Sequence, residues 1–151
     1  MELDNFFLAE YDFQNIDHRT IVMELEKDDK KGDKNYIKNL EYHFAMINRR
    51  REDNRCNHAY IAYYNDYPVG FIAITKKDDI YEISYGVRPE KRGEYLGALL
   101  LQEFSEKMFE VYPEIDKLTL IINNLNTPSK KTANLAGYTQ ENSVRHTQRR
   151  M

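Results

Sequence analysis

The run Val87-Arg88-Pro89-Glu90-Lys91-Arg92-Gly93-Glu94-Tyr95-Leu96-Gly97 joins the end of a strand-like stretch to the start of a helix-like one. Such a junction suits an anion. The first N–H groups of a helix lack intrahelical partners, the helix dipole is positive at that end, and Arg88, Lys91 and Arg92 add charge that phosphates favour. A pyrophosphate fits this chemistry. Gly93 and Gly97 would let the main chain approach a ligand and let the helix pack near the sheet, where a β-carbon holds both apart. Two glycines alone also make an ordinary turn. The run lacks the closing Lys-Ser/Thr of a P-loop, and it does not open an N-terminal β-α-β unit with a later ribose-binding acid, as a dinucleotide site would.

Other reactive side chains form no such constellation. His18, His43, His58 and His146 are scattered with no metal-ligand spacing and no cysteine cluster, so no metal is expected. Cys56 is the only cysteine; it precludes an intramolecular disulfide, fits a reducing compartment, and lacks the oriented base of a thiol nucleophile. Arg49, Arg50 and Arg51 are followed at once by Glu52 and Asp53, which reads as a solvated helix end. Tyr60, Tyr63, Tyr64 and Tyr67 could line an aromatic pocket, although tyrosines on a half-buried sheet usually pack and hydrogen-bond at their tips.

The elements that must position the loop follow from periodicity. Asn5 to Tyr11 reads as a strand and Ile16 to Glu26 as a helix, with the charged Asp28–Lys34 run as a loop. Tyr36, Ile37, Leu40, Phe44 and Ile47 mark a second amphipathic helix. From His58 the period changes to two: HAYIAYY, an NDYP turn, VGFIAIT, a KKDD turn and IYEISYGV predict an antiparallel meander. In the last of these strands Tyr81, Ile83, Tyr85 and Val87 share one face and Glu82, Ser84 and Gly86 the other. Leu96, Leu100, Phe104 and Met108 form the core stripe of a helix that Pro113 ends. Lys117 to Ile122 is expected as a strand parallel to the Tyr81 strand, reached through that helix. Thr127 is expected to cap a short helix stopped by Gly137, and Ser143 to Gln148 to form a last edge strand.

The chain has 151 residues, of which 41% are hydrophobic, enough for one domain over residues 1–151. A formal charge of −3 provides no basic field for nucleic acid. No signal peptide, lipidation motif or apolar run near the ~20 residues that span a bilayer is visible, so the cytoplasm is the expected location and no membrane partner is expected.

Two stretches resemble one family. The phosphate-loop candidate is similar to the coenzyme A pyrophosphate loop of the GNAT acetyltransferases, whose pattern Arg/Gln-x-x-Gly-x-Gly/Ala follows a strand ending in Val-x-Pro. Here Val87-x-Pro89 precedes Arg92-Gly93-Glu94-Tyr95-Leu96-Gly97. Tyr95 stands where the family usually has glycine, and a side chain pointing away from the ligand would cost little there if φ is negative. Further on, Asn126-Thr127-Pro128-Ser129, continuing to Gly137-Tyr138, resembles the family's Asn-x-x-Ser/Ala helix ending in Gly-Phe. Many relatives carry a tyrosine seven residues after that asparagine to protonate the departing thiolate; Ala133 occupies the place here. The ribosomal-protein N-terminal acetyltransferase branch uses a serine three residues after it, which makes Ser129 the candidate acid.

The resemblance covers roughly Ala59 to Tyr138 and implies a single-domain α/β (α+β) acyl-CoA N-acyltransferase fold, with a mixed, mostly antiparallel sheet of about 6–7 strands and about four flanking helices. It implies acetyl-CoA (coenzyme A) held by Val87, Arg88, Arg92, Gly93, Glu94, Tyr95, Leu96, Gly97, Asn126 and Ser129. Pantetheine would enter between diverging strands at Val87 and Ile122, with the Val87 region polarising the thioester carbonyl and Asn126 anchoring the arm. An amine must be neutral to attack, and Glu82, on the polar face of the strand leading into Val87, is the candidate base, directly or through a water. The acceptor would be a protein N-terminus or a small-molecule amine, met by the helices between Ile16 and Arg51. A silent acyl-CoA sensor and a generic phosphate-binding domain are the competing readings, and the chain is expected to be a monomer or homodimer.

Overall fold

Alternating side chains of the central strands feed two separate cores. In the computed structural model, which describes residues 5–32, 39–49, 57–88 and 95–150, the elements are β1 (Phe6–Glu10), α1 (Ile16–Gly32), α2 (Leu40–Arg49), β2 (His58–Tyr64), β3 (Tyr67–Lys77), β4 (Ile80–Val87), α3 (Leu96–Val111), β5 (Lys117–Ile121), α4 (Thr127–Leu135), β6 (Thr139–Gln140) and β7 (Arg145–Arg149). The strands form one sheet in the order β1-β2-β3-β4-β5-β7-β6, parallel only between β4 and β5. On one face Ile72, Ile74, Ile83, Leu118 and Leu120 pack with Leu96, Leu100, Phe104 and Met108 of α3 and with Ala133 of α4. On the other, Ala59, Ile61, Phe71 and Ala73 pack with Val22 and Leu25 of α1 and Leu40 and Phe44 of α2. Each large side chain removed from water in these layers contributes about 1.5–3 kcal/mol. Among the described residues no helix is long and apolar enough to cross a membrane.

The expected mixed, mostly antiparallel sheet with flanking helices is observed, and five local readings change; in one, the KKDD turn shrinks to Asp78 and Asp79, because Lys76 and Lys77 still pair with Tyr81 and Ile80 as the end of β3. Helix α1 runs through Gly32 instead of stopping before Asp28, because lysine is a good helix former and charged residues extend an established helix without breaking it. The β2–β3 turn is only Asn65 and Asp66, at φ 53° and 63°, which suits a two-residue hairpin, so Tyr67 and Pro68 already belong to β3. Asn126, not Thr127, caps α4. Finally, β7 lies between β5 and β6 and is no edge strand; the edge is the two-residue β6, too short to show an alternating pattern. Tyr36, Ile37, Arg50, Arg51 and Cys56 lie outside the described residues.

Candidate functional site

The parallel ladder between β4 and β5 is short. It pairs Tyr81 with Leu118, Glu82 with Thr119 and Ile83 with Leu120, whereas β4 stays in register with β3 as far as Val87 opposite Gly70. Past Leu120 the β5 chain keeps to its other neighbour: Ile121 pairs with Arg145, and the Ile122 amide donates to the Val144 carbonyl at 2.8 Å. The two strands therefore diverge from Ser84 onward. The Arg88 amide donates to the Val69 carbonyl at 2.8 Å, so Gly86 and Arg88 turn their main-chain groups to β3, while Tyr85 and Val87, out of phase, turn theirs to the β5 side. A slender, extended ligand arm could lie in that gap and meet polar main chain.

The first turn of α4 approaches the gap from the α3 face. Asn126 Oδ1 accepts from the Ser129 amide at 3.3 Å, so any ligand contact by Asn126 falls to its Nδ2 or main chain. The ring of Tyr85 packs against the α3/α4 core, and its hydroxyl is buried without a hydrogen-bond partner. Burial pushes its pKa up, and the nearby Ser129 and Thr132 side chains oppose that rise without closing a hydrogen bond to it. A β-carbon on Gly97 would lie 3.2 Å from Thr132 Cγ2 and 3.6 Å from Val87 Cγ2. Its absence lets α3, α4 and the end of β4 converge.

Of the residues expected to cradle phosphate, Arg92, Gly93 and Glu94 lie outside the described residues. Leu96 is buried in the α3/α4 core, so only its main chain can face a ligand. Tyr95 caps α3 at φ 62°, ψ 10° with its side chain 68% exposed. The negative φ expected from the sequence is thus corrected to the left-handed region, which the start of α3 imposes and which costs an L-residue about 1–2 kcal/mol. Tyr95→Gly should release that strain and lose part of it to unfolded-chain entropy. A net gain of about 0.5–1 kcal/mol is expected, or about 1–4 °C in melting temperature; an unchanged or lower melting temperature would contradict it.

Arg88 is placed differently from the expected phosphate contact. It is buried, its Nε donates to the Pro68 carbonyl at 2.7 Å, its guanidinium lies 5.0 Å from the Tyr67 ring centroid, and Nη2 is 3.6 Å from Glu24 of α1. A guanidinium committed this way fastens β4 to β3 and α1; the direction of the Arg88 side chain is set by tertiary packing that a loop motif does not encode.

Glu82 sits on the opposite face of the sheet from Tyr85, half-buried, with Thr75 across β3 and Thr119 across β5. On that face the next β4 side chain, Ser84, is exposed. A cleft of about 510 Å³ opens beside α1, lined by Asn15, Asp17, Thr20, Ile21, Glu24 and by Tyr63 from β2. Its Glu24 wall is the residue that pairs with Arg88, so the cleft and the end of β4 share a side-chain link. Among the described residues no group of three or more His, Cys, Asp and Glu is placed to hold a metal ion.

Residues 18–138 match the model of the acetyltransferase (GNAT) family. The chain belongs to that family. Its fold is shared with the ribosomal-protein-S5-alanine acetyltransferase from Vibrio fischeri, at a TM-score of 0.77 and 7% identity over 99% of this chain and 95% of the other. An acetyltransferase from Salmonella typhimurium that modifies the N-terminal serine of a 50S ribosomal subunit protein superposes at a TM-score of 0.77 with 13% identity, covering 97% and 96% of the two chains. The aminoglycoside acetyltransferase AAC(6')-Ib, in complex with ribostamycin and coenzyme A, gives a TM-score of 0.76 and 16% identity over 97% of this chain and 94% of that one. No curated protein matches the sequence.

In this GNAT chain Gly97 lies beside Val87 and Thr132, Ser129 lies beside Asn126 and the Tyr85 hydroxyl, and Glu82 is on the other face of β4. Sequence reasoning left two residues of this region unassigned. The strand's alternation places Tyr85 only on one face with Tyr81, Ile83 and Val87, and Thr132 is not singled out by the sequence. The available signal was a tyrosine, with its polar tip, on the inward face two residues before Val87.

Proposed function

We propose that this chain is an N-acetyltransferase carrying an acetyl group from acetyl-CoA to a primary amine, either a protein N-terminus or a small-molecule amine. The observation that carries the reading is the divergence of β4 from β5 beyond Ile83, beneath the capped N-terminus of α4, in a member of an acetyltransferase family. The gap fits a narrow acyl-carrying arm, and the neighbours crystallised with acetyl-CoA or coenzyme A support that donor for this chain. Bound acetyl-CoA would supply an activated acyl carbon and a thiol leaving group. The residues that would hold it are Arg92 to Gly97 at the diphosphate, with Val87, Asn126 and Ser129 along the arm.

The chain's own chemistry divides between the two faces of the sheet. Glu82, on the α1/α2 face, takes the proton that an amine must lose, directly or through a water. Ser129, on the α4 face, donates to the sulfur as it leaves, and main chain near Val87 polarises the carbonyl, an effect worth about 3 kcal/mol in acyl-transfer sites. Acids of the α1 cleft, Asp17 and Glu24, suit an amine that arrives protonated. This reading treats residues 1–151 as one domain acting in the cytoplasm as a monomer or homodimer, without nucleic acid.

A silent acyl-CoA-binding module is the second reading, favoured by Ala133, which is wholly buried where the resemblance places a tyrosine acid. Calorimetry with coenzyme A, followed by thiol release from acetyl-CoA across a panel of amines and peptides, separates the two. Turnover with any amine supports the enzyme, binding without turnover supports the module, and no binding overturns both.

A further inference from the structure

We infer that the Tyr85 hydroxyl is the hydrogen-bond donor that holds the sulfur of the acyl donor as its C–S bond breaks. The inference rests on the acetyl-transfer reading above and assigns a residue that neither motif contains. Other buried tyrosines find partners: Tyr11 donates to Glu41 at 3.0 Å, the Tyr112 hydroxyl meets His58 Nε2 at 2.6 Å, and the Tyr138 hydroxyl meets Ser105 Oγ at 2.6 Å. Tyr85 alone among these four is buried with an unpaired hydroxyl. A buried phenol left unpaired destabilises the fold, so a partner that arrives with a ligand explains its retention.

Position selects Tyr85 over the other unpaired buried atoms. His146 Nε2 and Gln148 Oε1 belong to residues paired across β5 with Leu120 and Leu118, where the ladder to β4 is still closed. Tyr85 lies on the stretch of β4 that has already parted from β5, and its hydroxyl is beside Ser129 and Thr132 in the first turns of α4. Helix α4 brings no phenol of its own, since Ala133 is fully buried core. A tyrosine from the strand would therefore do from below what the helix cannot do from above.

The chemistry favours a donor that stays protonated. Burial raises the Tyr85 pKa, so at neutral pH the O–H is retained and points its proton at developing negative charge. As the amine nitrogen bonds to the acyl carbon, the C–S bond breaks and its electron pair goes to sulfur. The proton displaced from nitrogen passes to the Glu82 carboxylate, while the Tyr85 hydroxyl holds the sulfur by a hydrogen bond and Ser129 gives it a proton, which solvent restores to Ser129 on release.

The test compares wild type with Tyr85→Phe, using coenzyme A itself as the probe. The free thiol of bound coenzyme A is titrated by its thiolate absorbance in the ultraviolet, alongside calorimetry and thermal melting. The bound thiol should ionise about one pH unit lower in wild type than in Tyr85→Phe. Melting temperature should be unchanged or higher in the variant, and kcat for acetyl transfer should fall about 10-fold to 100-fold with KM little changed. Binding with identical thiol titrations in both proteins overturns the inference and leaves the acetyl-transfer reading standing. A lower melting temperature in Tyr85→Phe also overturns it, because the hydroxyl would then serve the fold. If wild type binds no coenzyme A, the acetyl-transfer reading itself fails and the inference with it.

Discussion

Glu82→Gln is expected to lower acetyl transfer at neutral pH by a factor of about 10²–10⁴, the usual span for removing a general base. The amide has the size of the carboxylate but cannot take a proton. Glu82 is half-buried on the open face of β4, one side chain before the exposed Ser84, so the replacement leaves the ladder and both cores in place. The loss should depend on pH in a definite direction. As pH rises toward the acceptor's own pKa, about 8 for an α-amine and about 10.4 for a lysine, the amine deprotonates unaided and the gap between variant and wild type should narrow. Thiol release measured from pH 6 to 10 checks both points. A variant that keeps the full rate at neutral pH would move the base elsewhere; a pH-independent deficit would reduce Glu82 to a structural role.

Gly70→Ala should be the most damaging small substitution at the site. A β-carbon there would lie 2.2 Å from the Gly86 carbonyl oxygen and 3.2 Å from Val87 Cα, and both contacts are main chain that no side-chain rotation can relieve. Strand β3 must then move away from the end of β4, which is the wall of the gap. The expected cost is about 3 kcal/mol of stability, read as a lower midpoint in urea, together with at least a 10-fold loss of coenzyme A affinity. Gly86→Ala is the informative comparison. Its β-carbon would meet ring atoms of Phe71 at 2.5–2.6 Å, and a side chain can repack where a carbonyl cannot, so about 1–2 kcal/mol is expected. Equal effects from the two substitutions would remove the distinction on which the prediction stands.

Much of the framework was legible because it depends on local period. The alternation of HAYIAYY and IYEISYGV marks β2 and β4 at their observed bounds, and Leu96, Leu100, Phe104 and Met108 are each at most 2% exposed along α3. Gly137, at φ 94°, ends α4 as its residue type suggests. Weak or non-local signals were harder to read. Asn126 and Thr127 are both competent caps, and only the hydrogen bond to Ser129 separates them. β6 has two residues, below the length at which alternation carries information. Tyr95 has an ordinary residue type in an uncommon conformation, fixed by where α3 has to begin.

By itself the sequence determined the order of elements apart from the two-residue β6, the two faces of β4, the motif residues around one strand-to-helix junction, and from those the family. These properties reside in spacing along the chain, and spacing is what a sequence records. Only the tertiary structure decided that β5 leaves β4 to follow β7, that Arg88 turns to Pro68, Tyr67 and Glu24, and that a buried Tyr85 hydroxyl ends beside α4 without a partner. Each of these depends on contacts between segments far apart in the chain, where competing neighbours, not local preference, settle which way a strand or side chain goes.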